Sequence, residues 1–167
     1  MASRGLLELL TGPASMNAAG LIGSAAVVFG VQRLVPSFDP SWYKALKKPS
    51  WTPPNYVFPM VWIPLKIMQS VALWLVCTKA PSASALAVPV AAMGVHMFLG
   101  NWWNVVFFGR RKLKESLPWM YTFWASIAVT AATFHPISAA AAYLMLPTQV
   151  WVTIAAKLNY DIVKINS

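Results

Sequence analysis

Five stretches of the chain are almost uniformly apolar over about twenty residues each, at about 16–35, 56–77, 83–108, 117–134 and 137–162. A helix of that length rises 1.5 Å per residue and crosses the roughly 30 Å of hydrocarbon in a bilayer. The polar residues gather between these stretches. The pattern predicts an all-α membrane protein, a bundle of five transmembrane helices with short connections. Residues 1–15 form a short amphipathic lead-in, too brief and too interrupted by Glu8 for a signal peptide. Residues 16–166 form a single five-helix domain, with no room for a separate soluble unit.

Composition strengthens this reading. Of 167 residues 58% are hydrophobic and only 10% charged, far from the make-up of a soluble domain. The net charge of +9 would suggest nucleic acid on a soluble protein, but its placement argues for topology instead. Arg33, Lys44, Lys47 and Lys48 fall in the first connection, Arg110, Arg111, Lys112 and Lys114 in the third, and Lys164 at the C-terminal end. Arg4 and Lys79 fall on the opposite side. This bias places the first and third connections and the C-terminus in the cytosol, facing anionic lipid headgroups, and no nucleic-acid partner is expected.

The first connection is long for a helical bundle and ends in "KKPSWTPPNYVFPMVW", residues 47–62. Its prolines favour extended backbone, and Trp42, Tyr43 and Trp51 carry apolar area that is costly to leave in water. The expectation is an ordered first loop acting as a lid over the cytosolic mouth; the alternative is an interfacial aromatic belt with lysines at the headgroups. Beneath it, Phe58 and Trp62 share a helix face at i, i+4, and His96 and Trp103 share one at i, i+7. Such aromatic stripes are either packing or the walls of a cavity for a flat ligand.

Lys66 is the sharpest polar signal. It follows Pro64 inside the second apolar stretch, about 14 Å past the start of that helix. The chain has only Glu8, Asp39, Glu115 and Asp161 to pair with it, and Asp161 stands i+4 from Lys157. An intramembrane lysine without a partner marks a functional site, unless its ammonium snorkels to the headgroups. His96 is a weak candidate haem ligand, weighed against a hydrogen-bonded histidine at a helix interface; His135 falls on the far side and cannot share its iron. The lone Cys77 cannot form an internal disulfide. Paired carboxylates, a nucleophile elbow and metal-ligand spacing are all absent from the sequence, so ordinary hydrolytic chemistry is not expected. The C-terminal "LNYDIVK" fits a loose sterol pattern that matches many helices by chance, and small residues at Ala19, Gly23, Ala26 and Gly30 permit close helix packing within or between subunits.

Three segments resemble the signature regions of the translocator protein family, also known as tryptophan-rich sensory protein or peripheral-type benzodiazepine receptor. They are "WYKALKKPSWTPPNYVFPMVW" from Trp42, "GNWWNVVFFG" from Gly100 and "LPTQVWVTIAAKLNYDIVKIN" from Leu146. The resemblance implies a five-helix membrane protein, often dimeric, that binds tetrapyrroles such as protoporphyrin IX or haem, and in animals sterols, in a cavity closed by the first loop. No cofactor is required by it. The implied site takes in Trp51, Trp103, Trp151, Ala155, Leu158 and Asn159, to which the aromatic faces and the buried charge add Phe58, Trp62 and Lys66. It also carries an alternative, porphyrin degradation assisted by Trp51 and Trp151, and a third possibility is a purely structural membrane partner. A eukaryotic member would sit in the mitochondrial outer membrane, others in secretory, plastid or bacterial membranes. Departures from the family pattern fall at Thr148, where a tyrosine is usual, at Gly100, where asparagine is usual, and at Lys66, where tyrosine is common.

Overall fold

The computed structural model describes residues 13–30 and 39–167, with side chains from residue 18 onward in the first segment. The lead-in expected over 1–15, and Arg4, Glu8 and Arg33 with it, lie outside the described residues apart from the start of the first helix. Six α-helices are found among the described residues: α1 (Pro13–Gly30), α2 (Pro40–Ala45), α3 (Val57–Lys79), α4 (Ala83–Asn104), α5 (Leu113–Phe134) and α6 (Ala139–Asn166). A π-helical turn, Val105–Gly109, extends α4. All are helical for one reason. A segment in hydrocarbon must satisfy its own backbone N–H and C=O groups, and a helix does so internally.

Among the described residues, three helices are long and apolar enough to cross a membrane: α3, α4 with its π turn, and α6. The first and fourth expected spans do not meet that standard. In α1 the described apolar stretch, Ala18–Gly30, is short, and α5 intersperses Pro118, Tyr121, Thr122, Ser126, Thr130 and Thr133 among its apolar residues. The structure therefore supports an all-helical membrane architecture with three such spans among the described residues; the first expected span, 16–35, extends beyond them. Element ends differ as well. α6 continues four residues past its expected end because Lys164 and Asn166 extend the helix beyond the apolar stretch.

Each helix start has a visible cause. Ser82 and Ser138 cap α4 and α6 through hydroxyls that accept from the N–H groups of Ala85 and Ala141. Asp39 caps α2, accepting from the N–H groups of Ser41 at 2.9 Å and Trp42 at 3.2 Å, with Pro40 in the first turn. The Ser41 hydroxyl and the Trp42 N–H hold the Asp39 carboxyl below its ordinary pKa. A depressed carboxylate stabilises the folded state above its unfolded pKa, so this cap is present at neutral pH and is lost in acid. Lys48 closes the other end of α2, its Nζ donating to the carbonyls of Tyr43 at 2.6 Å and Leu46 at 2.9 Å.

Packing gives the helices an order that the sequence order hides. α1 lies on α3, α3 on α6, α6 on α5 and α5 on α4, whereas the consecutive helices α3 and α4 meet only sparsely. Buried methionines and aliphatics fill the centre, among them Met93, Met120, Ile127, Met145 and Val152. α4 and α5 approach most closely at Gly100, where an added Cβ would stand 2.8 Å from the Phe123 ring. The outward faces carry Ile63, Ile67, Val95, Phe98, Val129 and Val150, an apolar surface of the kind lipid requires.

The first connection and the loop after the π turn lie at the same end of the bundle, joined by an ion pair of 2.8 Å between Arg111 and Asp39. Single cysteines at Ser41 and at Lys112, in a Cys77→Ser background, should therefore label from one face of sealed membranes. A cysteine at Lys79 should label from the other. Labelling of Ser41 and Lys112 from opposite faces would break this topology.

Candidate functional site

A cavity of about 390 Å³ opens at the sparse seam between α3 and α4. Its volume lies in the range typical of small-molecule sites. α3 supplies Phe58, Pro59, Trp62 and Lys66; α4 supplies His96, Met97, Gly100, Asn101, Trp103 and Asn104; α5 supplies Met120 and Phe123; α6 supplies Trp151 and Ala155. Tyr43 of α2, Asn55 and Phe108 complete the wall at the end where the first connection lies.

The aromatic residues form a continuous set. Trp151 meets Phe58 edge-on with ring centres 5.9 Å apart, Trp103 stacks on Phe107 at 5.3 Å, and Phe108 stands edge-on to Trp103 at 5.7 Å. The π turn places this pair of phenylalanines. One extra residue in the turn, marked by the Arg110 N–H bonding to the Val105 carbonyl at 2.7 Å, shifts the register so that Phe107 packs into the core and Phe108 faces the cavity. Trp42 meets both phenylalanines edge-on, which seats α2 over this end of the bundle.

Of the residues singled out from the sequence, the structure brings Phe58, Trp62, Lys66, Trp103, Trp151, Ala155 and His96 to one cavity. Trp51, Leu158 and Asn159 lie elsewhere. Trp51 is 43% exposed and donates its indole N–H to Asp161 at 3.2 Å, beneath the Lys157 ammonium. It fastens the first connection to α6 and does not line the cavity that Trp151 lines. Leu158 is buried with Tyr43, Phe107 and Ile162. Asn159 is buried behind the wall, where its Oδ1 accepts from the Trp103 indole at 2.8 Å and its Nδ2 donates to the Ser116 hydroxyl at 2.9 Å. Both act on the cavity through Tyr43 and Trp103 rather than by lining it.

Sequence reasoning missed Asn101, Asn104, Phe108, Met120 and Phe123. The signals were available for some. Asn101 and Asn104 stand i, i+3 on one helix face, which spacing alone could have paired, but Phe108 depends on the π turn, which no hydropathy pattern announces.

Three buried polar groups of the wall lack partners among the described residues: the Lys66 ammonium, the His96 Nδ1 and the Trp151 indole N–H. Lys66 is 8% exposed, and among the described residues its ammonium makes no hydrogen bond or ion pair, only a distant approach of 6.0 Å to the Trp62 ring. It does not snorkel. His96 is 1% exposed, stacks on Phe123 at 5.2 Å and leaves its Nδ1 without a partner. Beside them Gln69 donates its Nε2 to Thr148 at 3.0 Å across the α3–α6 contact, while its Oε1 makes no hydrogen bond. Thr148, at the position where tyrosine is usual in the resembled family, is fully buried in that contact and does not reach the cavity.

Comparison with known proteins follows this geometry. The model of the TspO/MBR family matches residues 18–165. The chain belongs to the TspO/MBR family. Its relatives include protein CrtK of Rhodobacter capsulatus, 31% identical over 77% of this chain and 81% of the relative. The tryptophan-rich protein TspO of Chlorobaculum tepidum is 32% identical over 84% of this chain and 89% of its own. Human translocator protein is 30% identical over 71% of each. These are membrane proteins of one family, and the match spans all the helices that build the cavity.

The unpartnered charge of Lys66 should be visible in stability. Lys66→Met preserves length and apolar contact while removing a buried ammonium, and should raise the midpoint of thermal unfolding in detergent, a gain of about 1 kcal/mol or more. A lower midpoint would mean that Lys66 holds the fold together.

Proposed function

We propose that this TspO/MBR protein is an integral membrane receptor or carrier that binds flat tetrapyrroles, of the protoporphyrin IX or haem type, in the cavity between α3 and α4. The observation that carries the reading is the wall itself: Phe58, Trp62, Trp103, Phe108, Phe123 and Trp151 converge on one space of about 390 Å³. A macrocycle gains from offset and edge-on contacts with such rings as well as from burial. Asn55, Asn101 and Asn104 add polar groups at the same wall, which can fix orientation. A sterol would fill apolar volume but use neither the ring faces nor the amides.

The first connection serves as the lid. Its helix α2 contributes Tyr43 to the cavity wall, and three ties hold it down. Asn166 exchanges two hydrogen bonds with the Lys47 backbone, at 3.1 and 2.8 Å. Trp51 bonds Asp161, and Arg111 pairs with Asp39. Lids of this kind govern ligand exchange more than equilibrium affinity.

A titration of detergent-purified protein with protoporphyrin IX, followed by quenching of tryptophan fluorescence, tests both parts. Saturable quenching is expected from the parent, and Trp151→Ala should weaken binding about tenfold, through lost stacking and burial. Asn166→Ala should speed association and dissociation together by several-fold, leaving the Kd nearly constant. Absence of saturable quenching would overturn the binding reading, and unchanged rates in Asn166→Ala would overturn the lid.

A further inference from the structure

We propose that Lys66 and His96 form a carboxylate-binding pair at the inner end of the cavity, so that this site selects acidic ligands over neutral ones of the same shape. The inference rests on the cavity being the binding site. It commits that site to a charge class.

Position comes first. Lys66 is the last cavity-lining residue along α3 from its cytosolic end, and His96 is the most distant along α4. Because the two helices border the same seam and run in opposite directions, these residues stand at one depth, beyond the ring of Phe58, Trp62 and Trp103. A macrocycle held by the rings would turn one edge inward toward them.

Charge balance comes second. An ammonium withdrawn from water costs several kcal/mol unless an anion offsets it. Within the described residues every acid is already engaged outside the cavity: Asp39 with Arg111 at 2.8 Å, Glu115 with Lys112 at 2.8 Å, and Asp161 with Lys157 at 2.5 Å. The fourth acid of the sequence, Glu8, lies outside the described residues. Among the described residues the cavity thus holds a cation without a protein counter-ion, a role that an acidic ligand would fill.

Hydrogen-bonding capacity comes third. Lys66 offers three donors and His96 one in its neutral form, and neither residue spends any of them on a described neighbour. A carboxylate presents two oxygens, one for each residue. Charge-assisted bonds of this kind are the strong ones, worth about 1.5–3 kcal/mol each, or roughly ten- to a hundredfold in affinity. A neutral ligand in the same place would leave both residues buried and unsatisfied, so the pair rejects as well as attracts.

The test compares protoporphyrin IX with its dimethyl ester, which keeps the macrocycle and removes both carboxylates. Each ligand is titrated into the parent, Lys66→Met, Lys66→Arg, His96→Leu and Glu8→Gln. Comparing parent with variant for one ligand cancels its partition into detergent. In the parent the acid should bind at least about tenfold tighter than the ester. Lys66→Met should bring the acid down to the affinity of the ester and leave the ester unchanged or tighter. Lys66→Arg should keep the preference for acid, His96→Leu should narrow it by a few-fold, and Glu8→Gln should leave it alone. Equal affinities in the parent, or equal losses of acid and ester in Lys66→Met, would overturn the carboxylate pair while leaving the cavity intact. So would a gain in acid affinity from Glu8→Gln, since Glu8 would then be the native counter-ion. A parent that binds neither ligand would instead overturn the cavity as the binding site.

Discussion

Hydrocarbon supplies no hydrogen bonds, so a polar group carried into it must find its partner inside the protein. That constraint shapes the molecule at each level. It makes every described element a helix. It pairs Gln69 with Thr148 and turns the Thr130 hydroxyl to the carbonyls of Ser126 and Ala92, the latter across the α4–α5 contact. It also joins the Trp103 indole to Asn159, and Asn159 to Ser116, so that a cavity wall on α4 is held from behind by α5 and α6. Lys66 and His96, with the Trp151 indole N–H, are the buried polar groups of the cavity wall that make no hydrogen bond among the described residues. Their lack of partners has a cost, and they line the cavity of about 390 Å³ between α3 and α4.

The order of packing explains why that space exists. Helices that follow one another in sequence usually pack together, but α3 and α4 are kept apart because α3 turns to α1 and α6 while α4 turns to α5. Gly100 lets α4 press against Phe123, drawing α4 further toward α5. The seam that remains is walled by rings. At one end the first connection is held to the bundle by ties that are polar and exposed, the kind of contact that opens at low cost.

Much of this was legible in the sequence, for reasons specific to membranes. Twenty-residue apolar runs located α3, α4 and α6, since length and hydropathy are what hydrocarbon selects. α1 and α5 were harder, because the first expected span extends beyond the described residues and α5 intersperses polar residues among its apolar ones. The helix α2 escaped notice although Asp39-Pro40-Ser41 is a helix-start signal, masked by the prolines that follow. In the site, helical spacing pointed to Phe58, Trp62 and Trp103, and the family resemblance added Trp151; all four line one wall. The resemblance also pointed to Asn159, which shares a helix with Trp151 and Ala155 but turns toward Trp103 and Ser116, and to Trp51, whose indole hydrogen bond to Asp161 draws it outward. Facing direction is set by tertiary partners, and periodicity along one helix does not contain them.

The account stands on the claim that the buried ammonium of Lys66 meets an anionic group of the ligand. Solid-state NMR dipolar recoupling between the ¹⁵N-labelled lysine Nζ atoms and protoporphyrin IX ¹³C-labelled at its propionate carboxyls measures that contact directly, with Lys66→Arg assigning the signal. The account predicts a nitrogen–carbon separation of a salt bridge, about 3–4 Å, that disappears in Lys66→Arg. Saturated binding with no recoupled lysine signal, or a signal that survives the substitution, would contradict it.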